Sequence, residues 1–589
     1  MAVLSMVSCS DVLDRTPPDI VTEEEAFKTS AGVQAALARL YSEAPFEDFI
    51  FGGGAADMAF NAREQETLTG YALHVPNNEY GSQYINGNGD MGDSWFNYSA
   101  IRNINKFLAN IEKYGAKFDE TQVKAWKGEA LVLRAWGYYA MAKRYGGVPL
   151  VDKVLDYNSP DDIPTLQLPR NSEKETWDFV LKDLDAAIEL LPPSIGDGRV
   201  NRYVAFTLKA RSALYAASIA RFNTIVKTDE KTGKQLQGIP GQEATAYYTI
   251  AWNATKEVIG KGGYSLVRSE STDPFVQAES YRKMFLNPQS GNEDIFVKYY
   301  NYPDYTHSFD MTHVPWGRFK GGNACPTVDL LELYEYLDGR PGTTNIPQPG
   351  QYSAGYPNRR DFFRDRDYRL AATVMMPGDD FQSVDQTVTD LDIKAGEINA
   401  AGTELTDINY RGAWGMGAND QTQTGMLLKK YLDDTKLHSP AAVESSQPWI
   451  VMRYAEVLLI AAEAALENND AAAALPYINS IRNRAGLQPL TTAKVTREEV
   501  RRQWIVELAF ENQNLWQMRR WRVYTPKMST TFRERGIRPF LDQPTKQWKF
   551  KTFYTGKGKV YQPIYYYNAI PSDEIRKNPA LVQNMGYNN

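Results

Sequence analysis

Successive stretches of this chain carry apolar residues at helical spacing, and each has more apolar surface than one helix can bury alone. Ile101, Ile104, Phe107, Leu108 and Ile111 recur at the period of a helix with one apolar face. Val123, Trp126, Ala130, Leu133 and Tyr139 stripe a second, over about Glu120 to Tyr145, which Gly146–Gly147–Val148–Pro149 ends. Ser172–Glu173–Lys174–Glu175 is a capping box opening a third, carrying Trp177, Val180, Leu181, Leu184, Ile188 and Leu191, and Pro192–Pro193 stops it. Further helices follow near Asn201–Ile219 and Ala244–Ile259. Upstream, Thr22–Glu23–Glu24–Glu25 caps a helix bearing Val33, Leu37, Leu40 and Tyr41. Such helices are stable only when stacked on one another, and a run of helical hairpins satisfies them all. The strict tetratricopeptide signature is absent, so the repeat rests on helix succession.

Between about Gly263 and Ser445 the texture changes. Gly, Pro, Asn and Asp become dense, and an alternating strand stands at Ile295–Phe296–Val297–Lys298–Tyr299–Tyr300. Helices return at Arg453–Ala464, Ala472–Arg484 and Val495–Trp521, the last opened by Thr496–Arg497–Glu498–Glu499. Near the end Trp548, Phe550, Thr552 and Tyr554 alternate, and Gly556–Lys557–Gly558 is expected to turn that strand back as a hairpin.

Composition narrows the function. A net charge of −7 argues against nucleic acid as a partner. The four histidines are scattered without zinc spacing, and the two cysteines, Cys9 and Cys325, are too few for a disulfide scaffold. Serine and cysteine nucleophile motifs, phosphate loops and HExxH are missing. Glu129, Glu456, Glu463, Glu507 and Glu511 lie on helices within a few residues of Arg134, Arg453 or Arg502. They read as structural ion pairs, not as the two carboxylates of a glycosidase, so the chain is not expected to be an enzyme.

Aromatics carry the positive signal: 36 Tyr and 12 Trp bring the aromatic share to 12%. Tyr80, Tyr84, Trp95 and Phe96 come from one loop, Tyr299, Tyr302, Tyr305 and Trp316 from another, and Trp414 stands between glycines in a third. A pyranose has an apolar C–H face on which rings stack, and a fringe of hydroxyls for polar groups, for which Asn88, Asp93 and Arg318 are the candidates. Taken singly, a tyrosine is more readily core packing, and it is the pattern shared by three irregular segments that favours a platform for the group. The loop Asn86–Asp93 has oxygen ligands at alternate positions, as calcium loops do. It lacks the glycine and glutamate of such a loop, so a glycine-rich turn is preferred and no cofactor is expected.

Ordered motifs add a resemblance. Leu4–Ser5–Met6–Val7–Ser8–Cys9 is similar to a bacterial lipobox, with Met6 where leucine is commoner. Trp95, Tyr98, Ile101–Asn105, Glu129–Ala130, Leu133–Arg134–Ala135, Tyr138–Tyr139, Tyr145–Leu150, Arg199 through Arg211, Arg453–Leu459, Arg484–Ala485–Gly486, Ile570–Pro571 and Gln583–Asn584 resemble, in order, the SusD/RagB family of outer-membrane nutrient-binding lipoproteins. Departures are Gln503–Trp504, Asn514, Gln517 and Met585, positions that read as structural.

The resemblance implies a mainly α fold of stacked tetratricopeptide-like helix pairs, an α-α superhelix with an irregular loop-rich region and short β-hairpins. It implies residues 1–9 as a signal remnant ending at a lipidated Cys9, 10–22 as a tether, and 23–589 as a single domain. Within that domain the helical scaffold spans about 23–262 and 446–525. The irregular ligand-binding region spans about 263–445 plus loop 71–97, and the C-terminal hairpin and tail 526–589. It also implies a glycan ligand held on Trp95 and the Tyr299–Trp316 segment, lipid anchoring on the cell-surface side of the outer membrane, and a SusC-like TonB-dependent barrel as partner. A peptide or other nutrient as cargo, and an extracellular glycosidase, remain the alternatives.

Overall fold

The structure, a computed structural model, describes residues 23–49, 65–73, 95–288, 291–313, 324–379, 381–382, 387–388, 396–406, 422–433, 444–527, 532–555 and 561–588. Its principal helices are α1 (Ser30–Glu43), α2 (Tyr98–Tyr114), α3 (Glu120–Tyr145), α4 (Glu173–Leu190), α5 (Arg202–Phe222), α6 (Ala244–Lys261), α7 (Pro274–Leu286), α8 (Tyr454–Glu467), α9 (Ala471–Arg484), α10 (Arg497–Glu507) and α11 (Asn514–Arg520). The longer strands are β1 (Asp294–Lys298), β2 (Gly396–Ile398), β3 (Glu404–Thr406), β4 (Trp449–Arg453), β5 (Arg535–Asp542) and β6 (Gln547–Tyr554).

Side-chain caps start the helices where the sequence places them. Ser172 Oγ accepts from the Glu175 amide at 3.1 Å while the Glu175 carboxylate accepts from the Ser172 amide at 2.7 Å, the reciprocal pair that fixes the start of α4. Asn201 Oδ1 accepts from the Tyr203 and Val204 amides at the head of α5. Thr29 caps α1 by accepting from the Gly32 amide at 3.1 Å; a separate turn of helix, Glu23–Ala26, precedes it, and Thr22 lies outside the described residues. Gly146 ends α3 at φ +77°, a backbone conformation that β-carbon sterics deny most residues.

The helices stack in series. α2 packs on α3, α3 on α4, α4 on α5, α5 on α6, and α6 on α8, which in turn meets α9 and α10. The α6–α8 contact closes over the excursion between Lys261 and Tyr454, so the irregular region is an insertion into a continuous solenoid. α3 is buried on nearly every face from Ala125 onward, not along one stripe, because α1, α2, α4 and α5 surround it. The apolar α8 is enclosed in the same way. One hydrophobic cluster runs from Phe27 to Leu581, so the helical scaffold and the tail share a core.

Three expectations need correction. Val495–Trp521 is not one helix: Phe510 and Asn512 take φ of +62° and +56°, and the resulting turn divides α10 from α11. That turn carries Glu511 toward Arg453 and Lys430. The strand at Ile295–Tyr300 does not alternate, since Ile295, Phe296 and Val297 are all buried between the core and β4. β6 pairs with the strand before it, β5, from Asp542↔Gln547 to Arg535↔Tyr554, so the hairpin turns at residues 543–546, while Gly556–Lys557–Gly558 lies outside the described residues. β5 continues in parallel to β2 and β2 to β3, giving the sheet order β6-β5-β2-β3.

Glu129, Glu456, Glu463, Glu507 and Glu511 are ion-paired, but across the fold and not with residues of their own helices. Glu129 meets Arg199, Glu456 meets Arg211, and Glu463 meets Arg520. Arg134 grips Asp183 with two bonds of 2.7 Å, and Arg502 joins Glu499 and Glu335. The departures from the family pattern are structural. Gln503 accepts from Arg369 at 2.8 Å, Asn514 donates to Glu66 at 2.8 Å, and Gln517 accepts from Arg520 at 2.6 Å. The Met585 amide donates to Gln237 at 2.9 Å, a bond that proline cannot make. Among the described residues no helix is long and apolar enough to cross a membrane.

Candidate functional site

A cleft of about 460 Å³ opens where α1, the turn before α5 and β1 converge. α1 contributes Gln34, Leu37, Ala38 and Tyr41, the turn contributes Gly198 and Arg199, and the end of β1 contributes Phe296 to Lys298, followed by Tyr299. Tyr305 completes the wall. The volume falls within the range of small-ligand sites, about 300–1,000 Å³. Gly198 stands at φ +70°, and a β-carbon there would meet the Tyr299 ring at 3.5 Å, so the turn lies close against that ring.

The tyrosine wall is built by a short loop. Asn301 and Tyr305 exchange two backbone hydrogen bonds of 2.8 Å, which bend residues 301–305 back on themselves. Tyr305 then stacks on the buried Tyr300, with centroids 4.9 Å apart and planes 13° from parallel. Tyr299 and Tyr305 remain 38% and 40% exposed, and Tyr302, at 54%, stands at the loop tip outside the cleft lining. Rings with one face supported and the other wet are suited to stacking on an apolar surface.

Polar groups surround the rings. Arg199 holds Glu129 through Nε, at 3.0 Å, and through Nη2. The Tyr41 hydroxyl donates to the same carboxylate at 2.6 Å and accepts from the Val200 amide at 2.9 Å. Burial raises the Glu129 carboxyl above its ordinary value even though Arg199 and Tyr41 hold it down. Burial and the neighbouring Glu129 push the Tyr41 phenol well up, so it stays a neutral donor. Lys298 pairs with Asp48, and its ammonium lies 5.6 and 5.7 Å from the Tyr300 and Tyr305 centroids. Burial disfavours the Lys298 charge, but Asp48 outweighs it, and the ammonium is held above its usual range.

The structure thus brings Tyr299 and Tyr305 together and leaves Tyr302 beside them. Trp95 is a correction: it is 3% exposed and belongs to the core. The Arg144 guanidinium lies 3.4 Å from its ring centroid and 4.4 Å from that of Trp516, so the indole is one side of an aromatic sandwich around a buried cation that also pairs with Glu47. Trp95 borders a crevice of about 20 Å³, too small for a sugar. Phe96 is buried against Tyr145. Tyr80, Tyr84, Asn88, Asp93, Trp316, Arg318 and Trp414 lie outside the described residues, as do Cys9 and the loop Asn86–Asp93. Tyr41, Arg199 and Lys298 escaped the sequence reading. The first counted as a helix-stripe residue, the second as the start of a motif and the third as a strand position; only their meeting in space marks them.

Comparison with known proteins places the fold. The SusD family matches residues 289–587, and a family described as starch-binding associating with outer membrane matches residues 21–223. SusD-like protein P2 of Formosa agariphila is 25% identical over 543 residues, covering 88% of each chain. A solved SusD-like protein from Bacteroides fragilis superposes with a TM-score of 0.73 at 26% identity, over 97% of this chain and 100% of the other. A SusD-like carbohydrate binding protein of the same species gives a TM-score of 0.69 at 20% identity, over 95% and 100%. The first match alone spans more than half of the sequence, and this chain belongs to the SusD family.

Proposed function

We propose that this protein is a glycan-binding lipoprotein of the outer membrane, anchored through Cys9, that captures an oligosaccharide without cleaving it and passes it to a TonB-dependent barrel. The observation that carries the reading is the cleft walled by Tyr299 and Tyr305, whose exposed rings stand beside the donors Arg199 and Lys298. Stacking on the C–H face of a pyranose and bonding to its hydroxyls use those two kinds of group. Membership of the SusD family and the carbohydrate binding of the Bacteroides fragilis relative support it, and the outer-membrane association of the second matching family supports the location. An open cleft buries only part of a sugar chain, so affinity is expected to be modest.

The test is retention on polysaccharide affinity gels. The wild type is retarded by at least one glycan, and Tyr299→Ala with Tyr305→Ala abolishes the retardation; retention unchanged by the pair removes the site from this cleft. New reducing ends on incubation with the bound glycan would replace binding by hydrolysis. For the anchor, Cys9→Ser releases the protein from membranes of its host.

A further inference from the structure

The two cations of the cleft share an orientation. Arg199 keeps 34% of its side chain exposed while its partner Glu129 keeps 0%; Lys298 keeps 21% while its partner Asp48 keeps 0%. Neither carboxylate lines the cleft, whereas both cations do. Each ion pair is therefore a dipole set into the wall with its positive end toward the ligand and its negative end in the interior. Two such dipoles on one concave surface add, and a cleft with low-dielectric walls concentrates their field. The Arg199 guanidinium spends Nε and Nη2 on Glu129, which leaves Nη1 as a further donor. Of the acidic residues near Arg199 and Lys298 along the chain, Asp197 and Asp304 are exposed, so water and salt screen them, the buried Glu293 is paired with Arg453 and Arg484, and Asp294 is half-buried with its carboxyl pushed up to about 6, mainly by that burial; none of the four lines the cleft.

Resting on the glycan reading above, we propose that the cleft takes an acidic saccharide, one carrying carboxylate or sulfate groups, with the sugar ring on Tyr299 and Tyr305 and its anionic substituent at Arg199 and Lys298. A neutral sugar leaves the positive ends of both dipoles facing hydroxyls, while an acidic one completes them with charge-assisted bonds. The overall charge of −7 would repel such a ligand at long range. Recognition therefore comes from the local field, not from steering by the whole molecule.

The experiment compares matched gels at low salt: polygalacturonate against its fully methyl-esterified form, and a sulfated galactan against its desulfated form, with starch as a neutral control. The proposal expects at least one charged member to be bound about tenfold more tightly than its uncharged counterpart, the effect of one charge-assisted hydrogen bond. That preference falls as salt rises. It is lost in the charge-neutral double replacements Arg199→Gln with Glu129→Gln and Lys298→Gln with Asp48→Asn, which strand no buried charge. Should either replacement fail to fold, the salt dependence of the wild type decides. Uncharged members or starch bound as well or better, and released by Tyr299→Ala with Tyr305→Ala, overturn the acidic ligand and leave the glycan reading standing. No retention on any gel overturns both.

Discussion

Glu507 is the residue whose removal is most informative about how the insertion is held to the solenoid. Its side chain is fully buried, and its carboxylate accepts from Arg453 at 2.6 Å, from Arg369 at 2.8 Å and from Arg484. The same cluster holds Glu293, Asp367 and Glu511 as acids and Lys430 as a fourth cation. Arg369, Lys430, Arg453 and Arg484 thus balance Glu293, Asp367, Glu507 and Glu511, four charges against four. Burial pushes the Glu507 carboxyl up, but Arg484, Arg453 and Arg369 outweigh it and hold it well below the usual carboxylate range. Glu507→Gln keeps the volume and deletes one charge, leaving an uncompensated cation in the interior. Breaking a buried pair in this way costs about 3–5 kcal/mol. With a urea slope of about 3 kcal/mol per molar, the unfolding midpoint falls by about 1–2 M. The pH dependence has a definite sign. A depressed carboxyl stabilises the fold above its unfolded value and loses that contribution as pH falls through its folded value. The gap between wild type and variant is therefore widest near neutrality and closes in acid. A midpoint shift below about 0.3 M at pH 7, or a gap that is constant with pH, would refute the reasoning.

Trp95→Ala opens a cavity beside Arg144 and lowers stability by about 3–5 kcal/mol, and at a temperature where the variant is folded its glycan retention equals that of the wild type. The buried Glu66 accepts from the Asn514 side chain and the Phe510 amide, and burial lifts its carboxyl to about 7. Its protonated form is fully favourable below the unfolded value and is lost as pH rises through 7. Glu66→Gln removes this titration but offers one acceptor to two donors, so the melting temperature of the variant relative to the wild type rises from pH 4 to pH 8, and a difference constant with pH would contradict the reading. Binding is proposed to need no metal, so calcium and a chelator give the same affinity in calorimetry.

The helical scaffold was legible because its signals are local. Ser172 and Glu175 form the box their spacing announces, and Ile101, Ile104, Phe107 and Ile111 are buried together. What spacing alone misses is anything decided by a distant partner. Glu129 looks like a residue paired along its own helix, yet its arginine lies seventy positions on, at Arg199. Trp95 heads a tyrosine-rich loop and reads as a platform ring, but a buried arginine from the end of α3 needs an aromatic face, and Trp95 supplies it. The helix from Val495 breaks because the chain must turn to bring Glu511 to Arg453, a demand set by β4. Tyr299 and Tyr305 were found because the segment was rich in tyrosine; that Tyr300 between them is the buried support became clear only from the stacked pair.

The central claim is that the wall formed by Tyr299 and Tyr305 holds a sugar chain. Calorimetric titration of the wild type and of the Tyr299→Ala, Tyr305→Ala variant with the glycan retained on gels tests it most directly. The account predicts saturable binding by the wild type and a loss of about tenfold or more in the variant, with the melting temperature preserved. Equal affinity in the two proteins would contradict it.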